Sequence, residues 1–448
     1  MSDSDTGTFD IDAHPVKEFF IEIITRDVKL IDTVPEFVDN SIDGATRIAD
    51  DEEDLSGLYV RIEADSDEIT IKDNCGGIPR DLAENYAFRF GRPDMEGGDL
   101  PSKIGKFGVG MKRSFFRLGD NFLLETHYHG NDEKYVIEIN SEEWKQHNEW
   151  NFTGEPLEEN DSRCTLDESG TRIQITDLHD SARENFGDDL FISKLRSHLV
   201  SEFSMFLNRG LEIILNNEGL GYSPLEMLED DNFKPAFRTF NFEQEEADIE
   251  VDIRAGLGEA DPDKAGWYVF CNGRLVLEAD QSKITGWGDP LPKYHNDFAR
   301  FRGMINFKSS DPGALPWNTT KTDINPDSGV YQRGKQKMIT VTRSVFNFLR
   351  EVSSQKSDMD LAQGENSPIE QRINSGEYID INEMDTSEER DFTAPDPEEV
   401  EEEDEVGYIN YSRSKERIED IKGELGVGTY KEVGVETFEY FYSDNIEE

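Results

Sequence analysis

The chain has 448 residues, enough for two or three packed domains and too long for one small binding module. Apolar residues make up 35% of it and aromatic residues 10%, sufficient for real cores, so wholesale disorder is excluded. Against 98 Asp and Glu stand 46 Lys and Arg, a net charge of −52, which excludes a basic grip on nucleic acid or an anionic-membrane anchor of the ordinary kind.

The opening MSDSDTGTFDID is acidic and lacks an apolar core, and no stretch approaches the roughly eighteen apolar residues of a membrane span. Neither a leader nor a membrane partner is expected, and the location expected is cytoplasmic. A first block, about residues 9–217, alternates helix-like and strand-like patterns. Helices are expected over Thr33 to Ala49, Asp81 to Phe90 and Phe191 to Leu207. LYVRIEAD and EITIKD alternate apolar and polar residues around the turn formers ADSDE, the pattern of a hairpin. FLLETHYH and YVIEI form a second such pair, and RIQITDL and LEIILNN add two more strands. Helices layered on a sheet are the expected result.

From Asn217 to Asn241 turn formers and acids predominate, which marks a boundary. A second block, about residues 242–351, has strands at IEVDIRAG, GWYVFCNGRLV and FRGMINF and ends in a long helix through Ile339 to Leu349. Trp267, Tyr268 and Phe270 are expected in its core. Residues 352–405 are low in apolar content, carry the acidic run Glu398 to Glu405 and read as a disordered linker. Residues 406–448 recover aromatic residues and one amphipathic helix pattern.

The acids are otherwise spread along the whole chain rather than gathered on one tail. Such a chain repels itself in dilute salt and is relieved when the screening length falls to about 3 Å at molar salt. The expectation is the cytosol of a salt-accumulating organism, with an acidic decoy for a basic partner as the rival. Cys75, Cys164 and Cys271 are far apart and odd in number, which indicates neither a disulfide framework nor a zinc site.

Three stretches carry chemistry. In TVPEFVDNSIDGATRI, Pro35 suits a first helical turn, and Glu36, Asn40 and Asp43 fall within an arc of about 60° on one side. After the strand EITIK comes Asp73, followed by Asn74, Cys75, Gly76, Gly77, Ile78 and Pro79. A carboxylate there can accept from an exocyclic amino group, and glycine permits close approach of backbone to a ligand. In SKIGKFGVGMKRSFF, Gly105, Gly108, Val109 and Gly110 lead into a helical pattern, offering backbone N–H groups to phosphate. It is neither a Walker loop nor a GxGxxG opening from a strand.

In this order and spacing the three stretches resemble the GHKL ATPases, the superfamily of gyrase, heat-shock chaperones, histidine kinases and MutL. The resemblance implies an α+β chain: a Bergerat-type α/β sandwich ATPase domain over 9–217, a ribosomal-S5-like transducer domain over 242–351, then the acidic tail. Thr171 in SGTRIQITDL looks like the threonine of the fourth motif. The resemblance further implies ATP and Mg²⁺ as cofactors, with Asn40 on the metal and Asp73 on the adenine amino group. Asp43, Gly77, Ile78, Thr171 and the loop of Gly105, Gly108, Val109 and Gly110 would line the nucleotide, and Glu36 would be the general base. Cys75 departs from the pattern, which usually has a glycine there, and puts the local backbone in doubt.

Glu36 also separates the branches, because histidine kinases of the superfamily typically carry Asn at this place; hydrolysis is favoured over phosphotransfer. GWYVFCNGRLV and LPWNTTKTDIN resemble the transducer of gyrase, MutL, the chaperones and the Microrchidia (MORC) ATPases. Lys321 is then the candidate lysine for the γ-phosphate, and Lys112 a second phosphate-side cation. GKFGVGMKRSFFRLGDNFLLET looks most like the Microrchidia version of the third motif. The resemblance implies homodimerisation on ATP binding and a DNA- or complex-handling role. A heat-shock-chaperone-like ATPase with a protein client, or a nucleotide-sensing interaction protein with little hydrolysis, are the alternatives.

Overall fold

The structure is a computed structural model and describes residues 15–91, 109–131, 133–158, 161, 163, 165–166, 168–243, 248–359, 366–397, 400 and 413–445. In the first block the elements run α1 (Lys17–Thr25), α2 (Thr33–Ile48), β1 (Tyr59–Ala64), β2 (Glu68–Asp73), the single turn α3 (Arg80–Leu82) and α4 (Gly110–Leu118). They continue with β3 (Gly119–His127), β4 (Lys134–Asn140), α5 (Ser141–Gln146), β5 (Gly154–Pro156), β6 (Gly170–Leu178), α6 (Asp180–Phe186), α7 (Asp189–Glu202), α8 (Ser204–Asn208), β7 (Glu212–Leu215) and β8 (Glu218–Gly219). The helix expected over Asp81 to Phe90 is shorter: α3 passes into a π-helical turn, Ala83–Ala87, and stops.

The strands form an eight-stranded sheet in the order β5-β4-β3-β6-β2-β1-β7-β8. All pairs are antiparallel except β1 with β7. Alternation in each strand places its apolar residues on one face, and the register aligns them into rows. Ile62, Ile71, Ile173, Leu124 and Ile137 face one another across five strands, and Ala64, Ile69, Ile175, Phe122 and Ile139 form the next row. All ten are buried. A slip of one residue in any pair would turn its row to the opposite face. Helix α4 packs on β3 and β6 and against α1 and α2. Lys17 fixes α1 by donating to the carbonyls of Trp144 (2.7 Å), His147 (2.8 Å) and Glu149 (2.6 Å), satisfying all three ammonium hydrogens.

The second block comprises β9 (Glu226–Leu228), β10 (Ala236–Phe242), β11 (Ile249–Leu257), β12 (Gly266–Cys271), β13 (Arg274–Asp280), β14 (Phe301–Ser309) and α9 (Gly329–Asp358). Its sheet runs β10-β11-β14-β12-β13, with α9 packed on β11 and β14. GWYVFCNGRLV, expected as one strand, is a hairpin: Asn272 (φ +50°) and Gly273 (φ +82°) form its two-residue turn, the Asn-Gly signal for such turns. Trp267, Tyr268 and Phe270 are buried.

The expected boundary at Asn217 to Asn241 holds β8, β9 and the start of β10. Both blocks lie within one compact unit, Met1–Glu399. The disordered linker expected over 352–405 is corrected in its described part. Helix α9 continues to Asp358, and α10 (Pro368–Ser375) and β15 (Tyr378–Asp380) follow. Helix α10 is capped by a Ser367–Glu370 box and buries Ile369 and Ile373, four apart on one face. Strand β15 pairs antiparallel with β9. Few apolar residues suffice here because each is spent on the block's core. In the second unit, Val400–Glu448, α11 (Lys415–Leu425) ends at Gly426 with φ +69°, and α12 (Tyr430–Asn445) follows. No described helix is long and apolar enough to cross a membrane.

Candidate functional site

Helix α2 is the centre of the site, and it is buried on its polar as well as its apolar side. Every residue from Thr33 to Ala45 except Asn40 is buried, including Glu36, Asp39 and Asp43. Carboxylates enter a protein interior at high cost unless cations or hydrogen bonds accompany them, so their partners are informative.

Glu36 is 4% exposed. One of its oxygens pairs with Arg113 on α4, and the other lies 3.1 Å from Lys321 Nζ. Lys321 Nζ also lies 2.6 Å from Asp39 Oδ2, and Arg274 Nε lies 2.9 Å from Asp39 Oδ1. Burial pushes the Glu36 carboxyl up, but Lys321, Arg113 and Arg274 outweigh it and hold the group below its ordinary range. Gly110 opens α4 against this carboxylate; a Cβ there would meet Glu36 Oε2 at 2.0 Å. Lys321 sits in a tight loop at φ +56°, an arrangement costly for a side chain with a Cβ and associated with functional sites.

At the other end, Asp73 closes β2. Its Oδ1 accepts from the amides of Cys75 (3.0 Å) and Thr171 (3.1 Å), and its Oδ2 accepts from Ser41 Oγ (2.7 Å). Burial raises the Asp73 carboxyl against these bonds. Gly76 and Gly77 take positive φ, +83° and +66°, and a Cβ on Gly77 would meet the His127 carbonyl at 2.3 Å. Cys75 itself is not among the positive-φ residues, so the departure noted in the sequence leaves the backbone unstrained: the left-handed positions are the two glycines after it.

Between these ends lies one open cavity. Its walls include Glu36, Asn40, Asp43, Asp73, Gly77, Ile78, Gly110, Lys112, Thr171 and Lys321, drawn from five separate segments of sequence. Apolar side chains of Ile71, Ile173, Phe37, Met111 and Leu82 complete it. Ile71 and Ile173 are cross-strand partners in the sheet. Lys112, buried in the wall, donates to the Ala87 carbonyl (2.5 Å), and burial pushes its ammonium down to about 7 while Glu36 pulls it back. Val109 precedes α4 and accepts from the Arg113 amide at 2.9 Å. Gly105 and Gly108 lie outside the described residues.

Several site residues escaped the sequence reading. Arg47 lines the cavity and donates to the Gly77 carbonyl (2.6 Å); extending the stripe of Glu36, Asn40 and Asp43 by four residues would have found it. Ser41, Asp39, Arg113, Tyr86 and Thr319 had no such signal, and Arg274 had none at all. No group of three His, Cys, Asp or Glu suited to a metal occurs among the described residues. A magnesium ion, which favours oxygen ligands and keeps several waters, would here draw on phosphate oxygens and Asn40, which is exposed on the α2 wall.

Residues 28–171 match the family model for histidine kinase-, DNA gyrase B-, and HSP90-like ATPases. The matched segment holds α2, the Asp73 turn and α4, and ends on Thr171. It supports a GHKL-type ATPase domain in this part of the chain, and with it ATP binding. No curated protein matches the chain.

Proposed function

We propose that the chain is a Mg²⁺-dependent ATP hydrolase whose turnover drives closing and opening between copies of the chain. The reading is carried by one observation: a buried carboxylate at a strand end and a carboxylate–lysine pair line the same cavity. Asp73 accepts the purine amino group, with Thr171 and Gly77 beside it, and Ile71 and Ile173 give the ring an apolar floor. Lys321 and Lys112 meet the phosphate charge. Glu36 takes a proton from the attacking water. Magnesium, when bound with ATP by Asn40, supplies further neutralisation of the phosphates.

Lys321 comes from the second block and reaches the wall beside Glu36, which supports a moving transducer. A Microrchidia-like clamp acting on DNA or on a complex is the favoured role, and a chaperone-like action on a protein client the alternative, in the cytoplasm of a salt-accumulating cell. A second reading, a nucleotide sensor with little hydrolysis, is favoured by the pairing of both Glu36 oxygens with cations, which leaves the carboxylate a weak proton acceptor.

Glu36→Gln is expected to reduce phosphate release at least about 100-fold while ATP still binds, and Asp73→Asn to lose ATP binding itself. Unchanged turnover in Glu36→Gln removes that residue from the base role. Wild-type chain that binds ATP and releases no phosphate selects the sensor. Stimulation by closed circular DNA against stimulation by unfolded protein, both at molar salt, separates the clients.

A further inference from the structure

A buried ionic cluster that joins the two blocks runs from the cavity wall into the interior behind it. It holds three acids, Glu36, Asp39 and Glu202, and three cations, Arg113, Lys321 and Arg274, all buried. Their pairing is unequal. Glu36 has its own arginine, Arg113, and Asp39 has Arg274, whose Nε lies 2.9 Å and 3.1 Å from its two oxygens. Arg274 Nη1 is 3.3 Å from Glu202 Oε2 on α7. Lys321 is shared between Glu36 and Asp39, each of which also has an arginine, and of the two contacts the one to Asp39 is shorter, 2.6 Å against 3.1 Å.

Removing one partner of a buried pair is costly because it strands a charge. Lys321 is the one cation whose departure leaves each acid with an arginine. It also differs in its surroundings: Lys321, Glu36 and Thr319 line the cavity, whereas Asp39 and Arg274 do not. The Lys321 backbone is braced independently of its side chain, its amide donating to the Asn318 carbonyl (3.2 Å) while Asn318 Oδ1 accepts from the amides of Thr320 and Thr322. Arg274 is held at the head of β13 by a turn whose Asn272 amide donates to the Phe307 carbonyl (2.8 Å).

We propose that Asp39 is a positioning residue that holds Lys321 back in the cavity wall in the nucleotide-free state, and that a terminal phosphate takes Lys321 from it while Arg274 keeps Asp39 paired. The proposal rests on the reading of the cavity as an ATP site. Asp39 thereby competes with the γ-phosphate and has no effect on a nucleotide that lacks one.

Equilibrium binding of ATP and of ADP to the full chain tests this in the wild type, Asp39→Asn, Lys321→Gln and the double variant. Asp39→Asn is expected to tighten ATP about fivefold to tenfold and leave ADP within about twofold; in the Lys321→Gln background it is expected to change neither. An equal shift for ATP and ADP, no shift for either, or an ATP shift that persists without Lys321, overturns the parking role. Wild-type chain that binds neither nucleotide overturns the ATP reading instead. Should Asp39→Asn fail to fold, the wild-type structure with a non-hydrolysable ATP analogue decides. Lys321 Nζ is expected on the terminal phosphate with Arg274 still on Asp39, and a lysine that remains on Asp39 overturns the proposal.

Discussion

Lys112 stands in surroundings that oppose its charge. An ammonium is ordinarily protonated far above neutrality, yet burial in the cavity wall brings this one down to about 7. In the empty site the group therefore loses its proton as pH rises through that value, whereas polyphosphate beside it would favour the charged form. ATP binding above pH 7 is then linked to proton uptake, and affinity is expected to fall as pH rises from 6.5 to 8.5, by at most about tenfold per unit. Calorimetry in buffers of different ionisation enthalpy measures the uptake, and Lys112→Met is expected to abolish it. A wild-type profile flat across this range places Lys112 outside the phosphate contacts. Glu36 shows the reverse balance, since cations overcome its burial and keep it ionised.

At the scale of elements, α2 and the turn after β2 form the site by touching almost directly. Gly44 makes this contact possible: a Cβ there would lie 2.5 Å from the Cys75 carbonyl oxygen and 3.2 Å from its Cβ. Both are parts of a turn pinned by Asp73, so neither yields cheaply. Gly44→Ala is expected to cost about 1–3 kcal/mol of stability, the usual range for overpacking, and to weaken ATP binding by moving Asp73 relative to Glu36. Thermal melting beside a binding titration checks both, and a variant that melts and binds as the wild type does would show the contact to be loose. The hairpin of β12 and β13 acts similarly across the blocks. Its Asn-Gly turn sets Arg274 against α2 and α7, where one guanidinium faces both Asp39 and Glu202.

For the whole molecule the governing quantity is a net charge of −52. Repulsion among exposed acids reaches about 30 Å at 0.01 M salt and about 3 Å at 1 M, whereas buried pairs such as Lys321 with Asp39 are screened far less. Raising KCl from 0.1 to 2 M is therefore expected to raise Tm by at least about 4 °C, roughly 2 kcal/mol for a large domain, while the Asp39–Lys321 coupling persists. A melting temperature indifferent to salt would remove the inference of a salt-adapted chain.

The order of elements in the first block was legible because alternation and helical spacing follow from burying one face of each element, and this leaves its mark residue by residue. The Glu36 stripe, the acid at the end of EITIK and the glycines after it were legible for the same reason: their geometry is local. What α2 packs against is not local. Its pattern shows a polar stripe, and how Glu36 and Asp39 are buried emerges only with the partners from α4, the Lys321 loop and the β12–β13 turn in place. The segment after residue 352 was misread because composition averages over residues, whereas order there depends on a few, Ile369, Ile373 and Ile381, meeting a core already built. Sequence by itself determined the local order of acids and glycines around Glu36 and Asp73; only the tertiary structure decided that the lysine of one block shares its charge with two acids of the other, because ion pairing acts over a few ångströms in space and is blind to the hundreds of residues between.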